Sequence, residues 1–197
     1  MKLVFATHNI NKVKEIKTLL PENFELLSLT DIGCNEPIEE YGKTLEENAW
    51  IKARFVKMKY GLDCFADDTG LEVESLNGAP GVYSARYAGE EKNANNNMDK
   101  LMNELKNKDN RSAQFKTIIA LAFNGLEMQF DGVVKGVIID EKKGTAGFGY
   151  DPIFMPEESN KTFGEFSMDE KNKISHRSRA FKKLLSFLKE PKIKMNR

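Results

Sequence analysis

A chain of 197 residues with 30 Lys plus Arg against 30 Asp plus Glu carries no formal net charge. Its length suits one domain, or one domain with two lobes around a cleft, and it is long enough to bury a sizeable core. The charge balance excludes a global field drawing the molecule to nucleic acid or anionic lipid, and favours a small charged ligand held by a local cluster.

The N-terminus MKLVFATHN has an apolar run too short for a signal-peptide core, and no later run approaches a membrane span, so the cytoplasm is the expected compartment. Lys2 to Ala6 predicts a strand and Thr7 to Asn11 a polar loop. Val13, Ile16, Leu19 and Leu20 then recur at helical spacing up to Pro21. Phe24 to Leu29 reads as a second strand, followed by an acidic, turn-rich stretch with Cys34, Pro37, Glu39, Glu40 and Gly42. A long helix is expected after Thr44, capped by it with Glu47 at the third position, and stopped by Gly61.

Asp63 to Val73 predicts an apolar strand interrupted by Asp67, Asp68, Thr69 and Gly70, which puts two adjacent acids at a bend. Gly78 to Gly81 reads as loop, Tyr83 to Tyr87 as a helical turn, and Asn93 to Leu105 as a surface helix. Ser112 to Phe123 and Met128 to Ile139, separated by Asn124 and Gly125, carry the strongest hairpin signal. A glycine-rich loop from Gly144 to Asp151, a strand from Pro152 to Met155 and a helix from Ser175 to Leu188 complete the chain. Early helices between strands and a later hairpin imply an α/β fold with a mixed sheet. Cys34 and Cys64 lack metal-ligand spacing and read as free thiols, Cys64 in a buried strand.

Five segments have residues suited to chemistry. Adjacent carboxylates such as Asp67 and Asp68 can hold magnesium and position or deprotonate a water; an Asx-type turn closed by Gly70 is the competing reading. Glu39, Glu40, Glu46 and Glu47 could add oxygen donors, but a solvated loop and a favourable negative first helical turn is the stronger reading of such acids. Thr7, His8, Asn9, Ile10, Asn11 and Lys12 place hydroxyl, amide and ammonium groups where a strand meets a helix N-terminus, a setting that favours phosphate. In Gly147 to Pro152 the glycines permit close backbone approach, and Phe148 and Tyr150 either stack on a purine or plug the core. Lys171, Lys173, Ser175, His176 and Arg177 form either a base-reading edge or a basic, solvated helix start.

The stretches ATHNINKVKEI, TLEENAWIKAR, FADDTGLEVESLNGAPGVYSARYAG, GTAGFGYDPIF and EKNKISHRSRAFKKLL, in that order, resemble the inosine triphosphate pyrophosphatase family along nearly the whole chain. The resemblance implies a two-lobed α/β fold with a long mixed central sheet flanked by helices, a cleft between the lobes, and a single domain over 1–197. It further implies Mg2+ dependence, a homodimer, and hydrolysis of non-standard purine nucleoside triphosphates (inosine, deoxyinosine and xanthosine) to monophosphate and pyrophosphate. Matched residue by residue, Thr7, His8, Asn9, Ile10, Asn11 and Lys12 fall on the substrate loop, Glu39 and Asp68 on metal-binding acids, and Asp68 also on the general base. Thr69, Phe148, Gly149, Tyr150, Asp151, Lys171, His176 and Arg177 fall on substrate-binding positions, and Lys52 and Glu47 on positions near the phosphates and metal. His8 stands where many members have glycine, and Thr69 where many have serine. A nucleotide-binding module that does not hydrolyse is the alternative from another class, and the paired acids argue against it.

Overall fold

The computed structural model describes residues 1–190. Among these, seven strands and five helices follow in chain order. They are β1 (Lys2–Phe5), α1 (Ile10–Lys17), β2 (Glu25–Ser28), α2 (Leu45–Tyr60), β3 (Cys64–Val73), β4 (Pro80–Gly81), α3 (Ala94–Glu104), β5 (Ser112–Phe123), β6 (Leu126–Ile138), β7 (Phe154–Pro156), α4 (Met168–Ile174) and α5 (His176–Leu188). The strands join in the order β2-β1-β3-β5-β6-β7, with β4 beside β3. β1 pairs in parallel with β2 and β3, whereas β3 with β4 and β6 with β7 run antiparallel, so the sheet is mixed, as expected. No helix among the described residues is long and apolar enough to cross a membrane.

The chain divides into two compact units, the first from 1–68, 117–132 and the segment starting at Arg177, the second from 69–116 and 133–176. In the first, Phe5 of β1 lies in register with Phe65 of β3, and the two rings stack at 4.5 Å. Ile16 of α1 and Phe181, Leu184 and Leu188 of α5 bury their apolar stripes against Leu3, Phe5, Phe65, Ile119 and Leu121. α2 starts where Thr44 accepts from the Glu47 N–H at 3.1 Å and ends at Gly61 in the left-handed conformation, as its sequence predicts. Both thiols are free and buried, and burial pushes Cys64 up to about 12.

In the second unit, Leu71 and Val73 of β3, Met98 and Leu101 of α3, and Phe115, Val134, Ile138, Phe154 and Phe163 form one apolar cluster. Asn124 and Gly125, both at positive φ, close the β5–β6 hairpin in two residues, so β6 starts at Leu126 rather than Met128.

Three local expectations need correction. Asp67 and Asp68 do not mark a bend: β3 runs unbroken through them, with the Asp67 carboxylate paired to Lys12 and Arg177 and that of Asp68 close to Lys52. Asp151–Ile153 forms a 3-10 turn and the strand starts at Phe154, since Pro152 has no N–H for a ladder. Pro80–Gly81, read as loop, is the short strand β4, paired with Leu71 and Glu72 of β3. The last helix does begin directly after Ser175, as read, and the polar segment before it forms a separate helix, α4, started by a Ser167–Glu170 capping box.

Candidate active site

The first unit gathers acids and cations around the middle of β3. Asp67 is buried, with Oδ1 accepting from Lys12 Nζ at 2.9 Å and Oδ2 from Arg177 Nε at 3.0 Å. Arg177 is fully buried and also donates to Glu15, itself buried on α1. Burial alone would raise Asp67, but Lys12, Arg177 and Lys52 overcome it and hold the carboxyl well below the usual carboxylate range. Arg177 is held above its ordinary value, because Glu15 and Asp67 outweigh its burial.

Asp68, one residue on, has a different environment. Its Oδ2 accepts from Asn48 Nδ2 at 3.2 Å, and its Oδ1 lies 3.7 Å from Lys52 Nζ, which bonds Glu40 on the acidic loop. Burial pushes Asp68 above the usual carboxylate range, with Glu40 and Asp67 adding to the shift against Lys52 and Lys12. Lys52 is raised: burial disfavours its charge, but Asp68, Glu40 and Asp67 more than offset this. The acid paired with Lys52 is thus Glu40, while Glu39 lies exposed one residue earlier. Among the described residues no three His, Cys, Asp or Glu side chains converge as a metal-binding group.

The loop before α1 is ordered by its own side chains. Thr7 Oγ1 accepts from the Asn9 N–H at 3.1 Å, and Asn9 Oδ1 caps the helix by accepting from Asn11 and Lys12 N–H. Two of the backbone donors that the sequence offers to phosphate are therefore engaged by Asn9. His8 is exposed, with its ring nitrogen 2.9 Å from the Glu36 carbonyl, and Ile10 is exposed beside it. Glu47 reaches back to the Lys43 N–H and acts as a helix cap rather than as part of the acid cluster.

The second unit holds the remaining candidates. Asp151 Oδ2 accepts from Lys171 Nζ at 2.6 Å and from the Phe148 N–H at 2.7 Å, closing the glycine-rich loop on itself. Gly147 is required there: its φ is +74°, and a Cβ would lie 2.0 Å from Asp151 Oδ2. The Lys171 ammonium sits 4.8 Å from the Phe148 ring centre, and that ring is half-buried. Tyr150 instead enters the core and donates to the Ser84 carbonyl at 2.9 Å, so of the two readings of its ring the structure takes the core plug. Gly149 follows Phe148 at positive φ, and Thr69 is half-buried in β3. His176 is buried with its ring stacked on Phe115 at 4.7 Å. A shallow concavity of about 440 Å³ on this unit, lined by Glu72, Gln114, Lys135 and Glu157 among others, includes none of the candidate residues.

Sequence reasoning missed Asn48 and Glu15 as members of the cluster and did not single out Glu40 over Glu39. Asn48 left a signal: it and Lys52 fall on the buried stripe of α2 with Leu45, Ala49, Ala53 and Val56, where two polar residues need partners. Glu15 left none, because an acid beside an apolar helix position usually faces solvent.

The fold is α/β, and two adjacent acids of one strand each lie within reach of a lysine, Lys12 for Asp67 and Lys52 for Asp68. The chain belongs to the Ham1 family, whose model matches residues 3–187. A dITP/XTP pyrophosphatase of Christiangramia forsetii is 60% identical over 188 residues, covering 95% of this chain and 99% of that protein. A dITP/XTP pyrophosphatase of Flavobacterium psychrophilum is 57% identical over 189 residues, covering 96% and 100%. The structure of the Staphylococcus aureus Ham1 protein aligns with a TM-score of 0.87 at 40% identity, covering 95% of this chain and 98% of that one.

Proposed function

We propose that this chain hydrolyses non-standard purine nucleoside triphosphates, those of inosine, deoxyinosine and xanthosine, to monophosphate and pyrophosphate. The names of its relatives support the reaction and the substrate class. The observation that carries the assignment of residues is Asp68, a buried carboxylate anchored on one oxygen and directed by the other toward Lys52 and Glu40.

Mg2+ is the cofactor of this reading, and the donor set fits it. Glu40 and Asp68 both pair with the Lys52 ammonium, and magnesium typically takes one or two carboxylates and completes its shell with phosphate and water. Asp68 would hold the ion, with Glu40 or, as the family resemblance implies, Glu39. When bound there it neutralises charge on the triphosphate.

The chain's own groups do the rest. Lys12, Lys52 and Lys171 supply positive charge to the phosphate oxygens, and the loop from Thr7 to Lys12 and Thr69 supply hydrogen-bonding groups. Asp68 orients a water and takes its proton; the water oxygen bonds to the α-phosphorus, the bridging P–O bond breaks, and pyrophosphate leaves with the electron pair. Phe148 to Asp151 receive the purine, and donors near His176 and Arg177 reward a 6-oxo group, which adenine lacks. In this reading residues 1–197 serve as one catalytic domain of a cytoplasmic homodimer, a stoichiometry that sedimentation equilibrium checks.

The test is pyrophosphate release from inosine, xanthosine, guanosine and adenosine triphosphates, with Mg2+ and with chelator, for wild type and Asp68→Asn. Metal-dependent release favouring inosine or xanthosine and lost in the variant is expected. Tight binding without release would make the chain a nucleotide-binding module instead.

A further inference from the structure

Asn48 is fully buried one helical turn before Lys52 on α2, and both ends of its amide are engaged. Its Oδ1 accepts from the Gly42 N–H at 2.8 Å, and its Nδ2 donates to Asp68 Oδ2 at 3.2 Å. The orientation is fixed by chemistry: a backbone N–H can only donate, so the amide oxygen must face Gly42 and the amide nitrogen must face the carboxylate. Gly42 closes on the amide so tightly that a Cβ there would lie 2.6 Å from Asn48 Oδ1 and 2.7 Å from Glu47 Cβ. One side chain thus ties the loop that carries Glu39 and Glu40 to the acid on β3.

We propose that Asn48 is a positioning residue for hydrolysis, fixing the Asp68 carboxylate through Oδ2 so that Oδ1 is turned toward Lys52 and Glu40, with Gly42 as the second half of the clasp. No other side chain type of this size does both: aspartate cannot donate to Asp68, and leucine can neither donate nor accept. Asn48 itself touches no substrate. Its loss lets the carboxylate rotate and the acidic loop drift, which lowers the rate of the chemical step more than it weakens nucleotide binding.

The proposal rests on Asp68 acting as the general base, and the experiment separates the two claims. Asn48→Leu, Gly42→Ala and Asp68→Asn are compared with wild type for kcat and KM on inosine triphosphate, binding of a non-hydrolysable inosine triphosphate analogue by calorimetry, and melting temperature. Both clasp variants are expected to remain folded, to lose about 10–100-fold in kcat, and to bind the analogue within about 3-fold of wild type. Wild-type kcat in a folded Asn48→Leu overturns the inference, as does parallel loss of analogue binding and kcat, which would make Asn48 part of the binding surface or only of the fold. Should Asn48→Leu fail to fold, Gly42→Ala, which keeps the amide but displaces it, decides by the same criteria. Normal turnover in Asp68→Asn sinks the catalytic reading and this inference with it; a dead Asp68→Asn beside a fully active clasp variant sinks the inference alone.

Discussion

Asp67 pairs with Lys12 and the buried Arg177, whereas Asp68 accepts from Asn48 and lies 3.7 Å from Lys52. Asp67 is depressed, so its contribution to stability is full above its unfolded value near 4 and is lost as pH falls through its folded value. Asp67→Asn is expected to destabilise by about 3 kcal/mol at neutral pH, because Arg177 and Lys12 are left under-compensated in the interior. The variant should also lose part of the wild type's acid sensitivity below about pH 4, measured by urea unfolding across pH. Asp68 has the opposite sign: raised by burial, its charge costs stability at every pH above its folded value. Asp68→Asn should therefore abolish turnover and yet raise the melting temperature of the metal-free protein, by about 2–4 °C per kcal/mol relieved. A lower melting temperature in Asp68→Asn would contradict the assigned electrostatics.

Two short segments decide whether the site residues are held in place. The first turn of α2 depends on Thr44, and Thr44→Ala should cost about 1 kcal/mol. Trp50, the single tryptophan, reports on it directly, since its indole N–H donates to Gln129 at 3.0 Å and its fluorescence follows unfolding of the first unit. The Gly147 turn is less tolerant. Gly147→Ala forces a side chain into the left-handed region, at about 1–2 kcal/mol, and onto Asp151 Oδ2. It should free Lys171 from its fixed position and raise the KM for nucleotide about 10-fold while lowering the melting temperature, with calorimetric nucleotide binding as the check.

At the scale of the molecule, a formal net charge of zero leaves no global field to draw in a polyanion, so the proposed reading rests on local cations such as Lys12 and Lys52 of the first unit. Turnover should accordingly depend on metal and on these lysines, not on a long-range field, and fall only modestly as salt rises from about 50 to 200 mM. Inosine and xanthosine triphosphates should exceed adenosine triphosphate in kcat/KM by about 100-fold or more if the base is read by hydrogen bonds to its 6-oxo group, as proposed. Comparable efficiency across the four nucleotides would refute base reading by hydrogen bonds.

Local chemistry was legible in the chain itself: the Thr44 cap and Gly61 stop of α2, the Asn124–Gly125 hairpin and the mixed sheet all follow from propensity, capping and periodicity that a short window contains. The motif order along the chain also named the family that the comparisons show. Whether Asp67 and Asp68 sit at a bend or in a strand was not legible, because that depends on partners far away in sequence: Lys12, Arg177 and the neighbouring strands. The same distance hid the pairing of Glu40 with Lys52, the clasp of Gly42 by Asn48, and the burial of Tyr150 and His176 against the core. Sequence determines which groups are available. Only the tertiary structure decides which of them bury one another, since desolvation and ion pairing are set by what surrounds a residue in space.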